Sequence, residues 1–127
     1  MIRARIALVA FAMIAAGSTG CRSGSPYEAE TQQPHRVGLV VKNDNYTEMD
    51  VYAVSDGLPT RIGTVTGLTT RSFWINDSYV AGTDFRVVAT PVGGNGRAST
   101  GPILAATGQT IYFNINSMLR ASTVSIR

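Results

Sequence analysis

A chain of 127 residues with 11 Lys+Arg, 8 Asp+Glu and one cysteine has room for one domain and excludes an intramolecular disulfide or a cysteine-built zinc site. Its formal charge of +3 overstates the basicity of the working part, because Arg3 and Arg5 belong to a removable leader and without them nine basic residues face eight acidic ones. The remaining cations are spread along the chain without clusters or interleaved aromatics, so a surface that tracks nucleic-acid phosphates is excluded.

The leader comes first. Met1 to Arg5 carries the two arginines that hold the cytoplasmic side, and Ile6 to Ala16 follows as an uncharged apolar run. At ~1.5 Å per helical residue this run is too short for the ~30 Å hydrocarbon core, so it reads as the hydrophobic region of an export signal. Gly17-Ser18-Thr19-Gly20-Cys21 then offers small residues to a peptidase and ends on the sole cysteine. The segment resembles the bacterial lipobox, Leu-(Ala/Ser)-(Gly/Ala)-Cys: Gly20 and Cys21 fit, Thr19 is tolerated, and Ser18 stands where an aliphatic residue is usual. The resemblance implies a signal peptide over 1–20, cleavage between Gly20 and Cys21, and lipidation of Cys21. The alternative is an ordinary secretory signal cut after Gly17, leaving Cys21 as a free thiol. Three acyl chains at ~0.8 kcal/mol per buried CH₂ would make the anchor effectively permanent. Because Arg22 rather than an aspartate follows the cysteine, the resemblance implies an outer-membrane protein facing the periplasm in preference to an inner-membrane one.

Residues 21–35 are polar, contain Pro26 and Pro34 and lack periodicity, which is the composition of a flexible tether. It would span on the order of 20 Å as a coil and ~45 Å drawn straight. His35, the only histidine, closes this tether and is expected to be solvated.

From Arg36 the apolar period becomes about two, which predicts strands near 36–43, 49–55, 60–65, 71–76, 84–91, 102–105, 109–116 and 122–127. Asn43-Asp44-Asn45, Ser55-Asp56-Gly57, Gly93-Gly94-Asn95-Gly96 and Thr107-Gly108 supply turn residues, and Asn116 to Arg120 suits a short helical turn. The expected fold is all-β, a single antiparallel two-sheet sandwich over 36–127. Its inward set is Val37, Leu39, Val41, Val51, Ala53, Ile62, Phe73, Ile75, Phe85, Val87, Ile111, Phe113, Ile115, Val124 and Ile126. The succession VYAVSDG, RIGTVTGL and SFWIN resembles the immunoglobulin-like or transthyretin-like sandwiches of bacterial envelope lipoproteins. That resemblance implies architecture and compartment; a function does not follow from a fold.

Chemistry is sparse. The segment from Asn43 to Asp50 is rich in oxygen donors but lacks EF-hand spacing, and a solvated hairpin loop is the expectation. Asp77 and Ser78 have only His35 for a triad, and Gly93 to Gly96 precedes no helix that could hold phosphate. No catalytic residue, metal site or cofactor is assigned. Trp74 and Tyr112 alternate out of phase with the inward set and so face solvent, as a platform for a partner protein or a sugar ring, as cover for a sheet edge, or as a cross-strand pair. The expected function is a membrane-anchored, non-catalytic binding or structural module for another envelope protein. The alternatives are a cell-wall or small-molecule hydrolase using Asp44, Glu48 and Asp77, and an assembly or piloting factor for an outer-membrane complex.

Overall fold

Alternating apolar residues put one face of each strand against water and one against another sheet, and eight such strands here form two layers. The computed structural model describes residues 35–127; the leader with Gly20 and Cys21, and all of the tether before His35, lie outside the described residues. One sheet has the order β4 (Thr70–Asn76), β1 (Arg36–Asn43), β7 (Thr110–Ile115), β8 (Thr123–Ile126). The other has the order β3 (Leu58–Val65), β2 (Met49–Ser55), β5 (Phe85–Pro91), β6 (Ala98–Ser99). The layers form a β-sandwich whose core is the expected inward set with a few additions. Val37, Leu39, Val41, Val51, Phe85, Val87, Ile111 and Ile115 are fully buried, whereas Ile62, Phe73, Val124 and Ile126 pack half-buried on the edge strands. Met49, Val65, Val80, Ala98 and Ile103 complete the core from element ends.

Two expectations about the strands need correction. First, the sandwich is not wholly antiparallel, because β1 runs parallel to β7, pairing Leu39 with Ile111 and Val41 with Phe113. Only β2–β3, β5–β6 and β7–β8 are hairpins; the other connections cross between layers, so the first strand is free to pair with one distant in sequence. Second, 102–105 forms no strand: the pairing beside β5 falls to Ala98–Ser99, and the ladder ends with Ile103 N–H donating to the Phe85 carbonyl. A single helical turn, α1 (Asp77–Val80), which no sequence periodicity marked, follows β4, because the Asn76 side chain accepts from the Ser78 N–H and caps it. A 3₁₀ turn at Leu119–Ala121 overlaps only the last two residues of the helical turn expected over Asn116–Arg120.

The Asp56-Gly57 turn has both residues at positive φ, 50° and 82°, the two-residue geometry whose twist suits a hairpin. A bulge at Ile62 shifts the β2–β3 register, so that Val51 faces Gly63 while Tyr52 faces Arg61. Gly63 is required there, since a Cβ would come within 2.7 Å of the Phe73 ring from the opposite sheet. Arg71 closes this side of the sandwich, its guanidinium 5.1 Å from the Phe73 ring centre and donating to the Thr64 carbonyl at 2.7 Å.

Connections that run from an odd strand to the following even one gather at one end, and the β1–β2 segment lies at their centre. It is not a solvated hairpin loop. Asn43 is completely buried, donating from Nδ2 to the carbonyls of Thr47 at 2.9 Å, Val65 at 3.2 Å and Thr66 at 3.3 Å, and accepting at Oδ1 from the Asn45 N–H at 3.0 Å. Around it Asp44 N–H donates to the Ile115 carbonyl, Leu68 N–H to the Asn45 carbonyl and Val92 N–H to the Glu48 carbonyl. His35 and α1 occupy the other end, where Asp77 N–H donates to the His35 carbonyl.

Replacing Asn43 with Leu would leave three carbonyls and one N–H without their partner, each worth ~1–3 kcal/mol when buried. Chemical unfolding of Asn43→Leu is expected to give a loss of roughly 3 kcal/mol or more. Gly63→Ala should cost about 1–3 kcal/mol by overpacking. Adding Phe73→Leu should recover part of that loss, which thermal melts of the single and double variants would measure.

Candidate functional site

Alternation leaves each sheet an outer face, and the two differ in chemistry. On the β4-β1-β7-β8 face Trp74 is 69% exposed and Tyr112 40% exposed, both outward as expected. They are not a cross-strand pair: Trp74 sits opposite Gly38 and Tyr112 opposite Val40, with β1 between them. Two strand spacings and one register step separate them by ~12 Å. Tyr112 is instead covered by the Arg127 guanidinium, 5.6 Å from its ring centre. Trp74 lies on the edge strand β4, beside the glycine gap that the Thr110 side chain overhangs.

The β3-β2-β5-β6 face carries a groove of ≈ 550 Å³ that sequence reasoning missed. Tyr52 and Val54 from β2 and Val88 from β5 form its floor, each half-buried; Tyr52 pairs with Val88 and Val54 with Arg86. Pro59 borders one side, and Asp84, Arg86 and Arg97 supply the polar rim. The signal was present in the sequence, because Val51-Tyr52-Ala53-Val54 and Val87-Val88-Ala89 are doubled apolar runs. In each, the inward residue is needed for the core and the outward one is not.

The rim charges divide into engaged and free. Arg86 Nη2 grips both oxygens of Asp84 at 2.6 and 2.7 Å, while its Nε is buried without a partner. Arg61, next to the groove on β3, donates to Asp50 Oδ1 at 2.6 Å, and the Thr64 hydroxyl donates to the same oxygen at 2.7 Å. The Thr64 hydroxyl first, and Arg61 second, hold the Asp50 carboxyl below the usual carboxylate range; Asp50 in turn raises Arg61. Arg97 makes no ion pair among the described residues. It also lines a neighbouring cleft of ≈ 520 Å³ with Gly96, Ser99, Leu119 and Arg120, the last likewise without an acidic partner among the described residues.

The carboxylates considered for hydrolysis do not assemble. Asp77 lies at the His35 end and Asp44 and Glu48 at the other, an eight-residue strand or ~27 Å apart, against the ~5–10 Å that separates paired catalytic carboxyls. Asp44 is held by Lys42 at 3.1 Å, and Asn45 is occupied with the Ser117 carbonyl and the Thr47 N–H. His35 is exposed but not simply solvated: its Nδ1 lies 3.0 Å from Asp77 Oδ2, the oxygen that also accepts from the Thr107 hydroxyl at 3.3 Å. Both groups converge on the carboxylate, so the arrangement fastens the start of β1 to α1 without aligning a hydroxyl on the imidazole. Among the described residues no three of His, Cys, Asp and Glu come together as a metal ion would need.

No family model and no curated protein matches the chain. A solution NMR structure of a protein from Eubacterium rectale is similar over 72% of this chain and 88% of that one, with a TM-score of 0.46 at 11% identity. At that level the likeness carries no argument about fold or function.

Because its native carboxyl is held low, Asp50 contributes stability that is complete above the ordinary carboxylate range and is lost progressively as pH falls below that range and through the lowered native value. Asp50→Asn should therefore be less stable than the parent at neutral pH. The difference should shrink as the pH is taken below about 4, the ordinary carboxylate value. Urea midpoints measured across that range would check the sign.

Proposed function

We propose that the protein is a lipid-anchored bacterial envelope lipoprotein whose β-sandwich is a non-catalytic docking module for a segment of another envelope protein. The address rests on the leader and on Cys21 directly after Gly20. The docking role rests on one observation, the groove over Tyr52, Val54 and Val88. Its volume falls in the ~300–1,000 Å³ range of ligand sites. Its make-up, an apolar floor with tyrosine at the centre and arginines at the rim, is that of an interface core with its border, where Tyr and Arg carry a disproportionate share of binding energy. Burial of such a floor by a partner would return apolar area to a dry environment at roughly 25 cal/mol per Å².

The transthyretin-like half of the resemblance is favoured over the immunoglobulin-like half. In the latter the first strand neighbours the second within one sheet. Here β1 lies between β4 and β7, and two four-stranded sheets share the strands equally. A periplasm-facing outer-membrane position agrees with Arg22 after the lipidated residue, and a tether of about 14 residues would let the groove reach a neighbour.

A photo-crosslinking amino acid at Val88 should give a discrete adduct from native membranes, and the same group at Thr70 on the opposite sheet should not. Adducts of equal yield from both positions would remove the groove from the reading. In parallel, Cys21→Ala should leave the membrane fraction, and retention there would remove the anchor.

A further inference from the structure

The groove is uneven in charge along its length. Toward the His35 end stand Asp84 and Asp56, the second accepting from the Asp84 N–H at 3.3 Å, and Arg86 is spent on Asp84. Toward the other end Arg97 borders both the groove and the cleft beside it, and Arg120 lines that same cleft. Both arginines are exposed and neither pairs with a carboxylate among the described residues. Local structure holds them together: β6 brings Arg97 to the edge of the sheet, and the 3₁₀ turn carrying Arg120 packs beside β6, with Leu119 against Gly96. Two like charges brought to one cleft repel each other, and an anion between them relieves that repulsion; guanidinium groups take carboxylates in a two-pronged geometry.

We propose that the Arg97–Arg120 cleft and the adjoining Tyr52–Val54–Val88 floor form one continuous site for an acidic, partly apolar segment of a protein partner, with carboxylates held by the two arginines and aliphatic side chains on the floor. The inference rests on the docking role of the groove and adds the partner's chemistry. Charge complementarity selects the orientation, because the acidic end of the segment is attracted to Arg97 and Arg120, while at the far end Asp84 is already neutralised by Arg86 and Asp56 repels it.

The test uses the full chain and a fluorescein-labelled hexapeptide of alternating Glu and Val, with a Gln–Val peptide of equal length beside it, read by fluorescence polarisation. Saturable binding of the Glu peptide is expected, at least tenfold tighter than that of the Gln peptide and weakened several-fold between 0.05 and 0.5 M salt. Arg97→Glu and Arg120→Glu should each weaken it tenfold or more. Val88→Lys should abolish binding through the floor, and circular dichroism melts of all three would show that the fold is retained. Equal affinity for the two peptides, or binding unmoved by the arginine changes, would overturn the acidic preference while leaving the groove as a docking site. No binding of the Glu peptide up to 2 mM would overturn the inference. So would competition by inorganic phosphate alone at low millimolar concentration, which would assign the cleft to phosphate. Self-association of the chain that Val88→Lys abolishes would assign the floor to a second copy and overturn the partner as well.

Discussion

The two layers are held in register at one end by the side chain of Asn43. An amide buried without partners would cost several kcal/mol, but this one satisfies three carbonyls and one N–H drawn from two connections. It thereby joins the end of β1 in one sheet to the end of β3 in the other, where apolar contacts alone are non-directional. Gly67 belongs to the same device, since any side chain there would collide with the Tyr46 carbonyl. Leu68 accepts a left-handed φ of 58° and uses its N–H to bond the Asn45 carbonyl. Strain of that kind, ~1–3 kcal/mol, persists where surrounding bonds over-determine the backbone.

With that end fixed, the outer faces become the places where the fold can afford variety. One presents Trp74, Tyr112 and many hydroxyl or amide side chains; the other presents an apolar floor flanked by ion pairs and by two cations with no ion pair among the described residues. The difference follows from composition on the outward phase of the central strands. Gly38, Val40 and Lys42 occupy that phase on β1, whereas Asp50, Tyr52 and Val54 occupy it on β2. On the first, Val40 stands opposite Tyr112, whose ring Arg127 covers, whereas on the second Val88 stands directly opposite Tyr52 and Val54 extends the apolar surface along the same strand.

Much of the fold could be read from alternation. Phe85, Val87, Ile111, Phe113 and Ile115 are buried because their period of two repeats without interruption, and a strand with one buried face has few alternative registers. Trp74 and Tyr112 face outward for the same reason. What alternation does not encode is the partner of each strand. The strand expected at 102–105 was displaced by Ala98–Ser99, since Pro102 has no N–H for a ladder and Thr100 directs its hydroxyl to the Val87 N–H. Asn43 looked like a turn residue, and nothing local distinguishes a solvated asparagine from one enclosed by a loop 22 residues away.

Sequence by itself determined the all-β class, the inward face of the central strands and the outward aspect of two aromatics. All of these are properties of neighbouring residues. Tertiary structure alone decided the parallel β1–β7 pair, the burial of Asn43, the fastening of His35 to Asp77, the meeting of Tyr52 with Val88, and the placing of Arg97 and Arg120 on one cleft. Those depend on which strands lie side by side, and pairing is settled by the packing of two whole layers rather than by the pattern within any one strand.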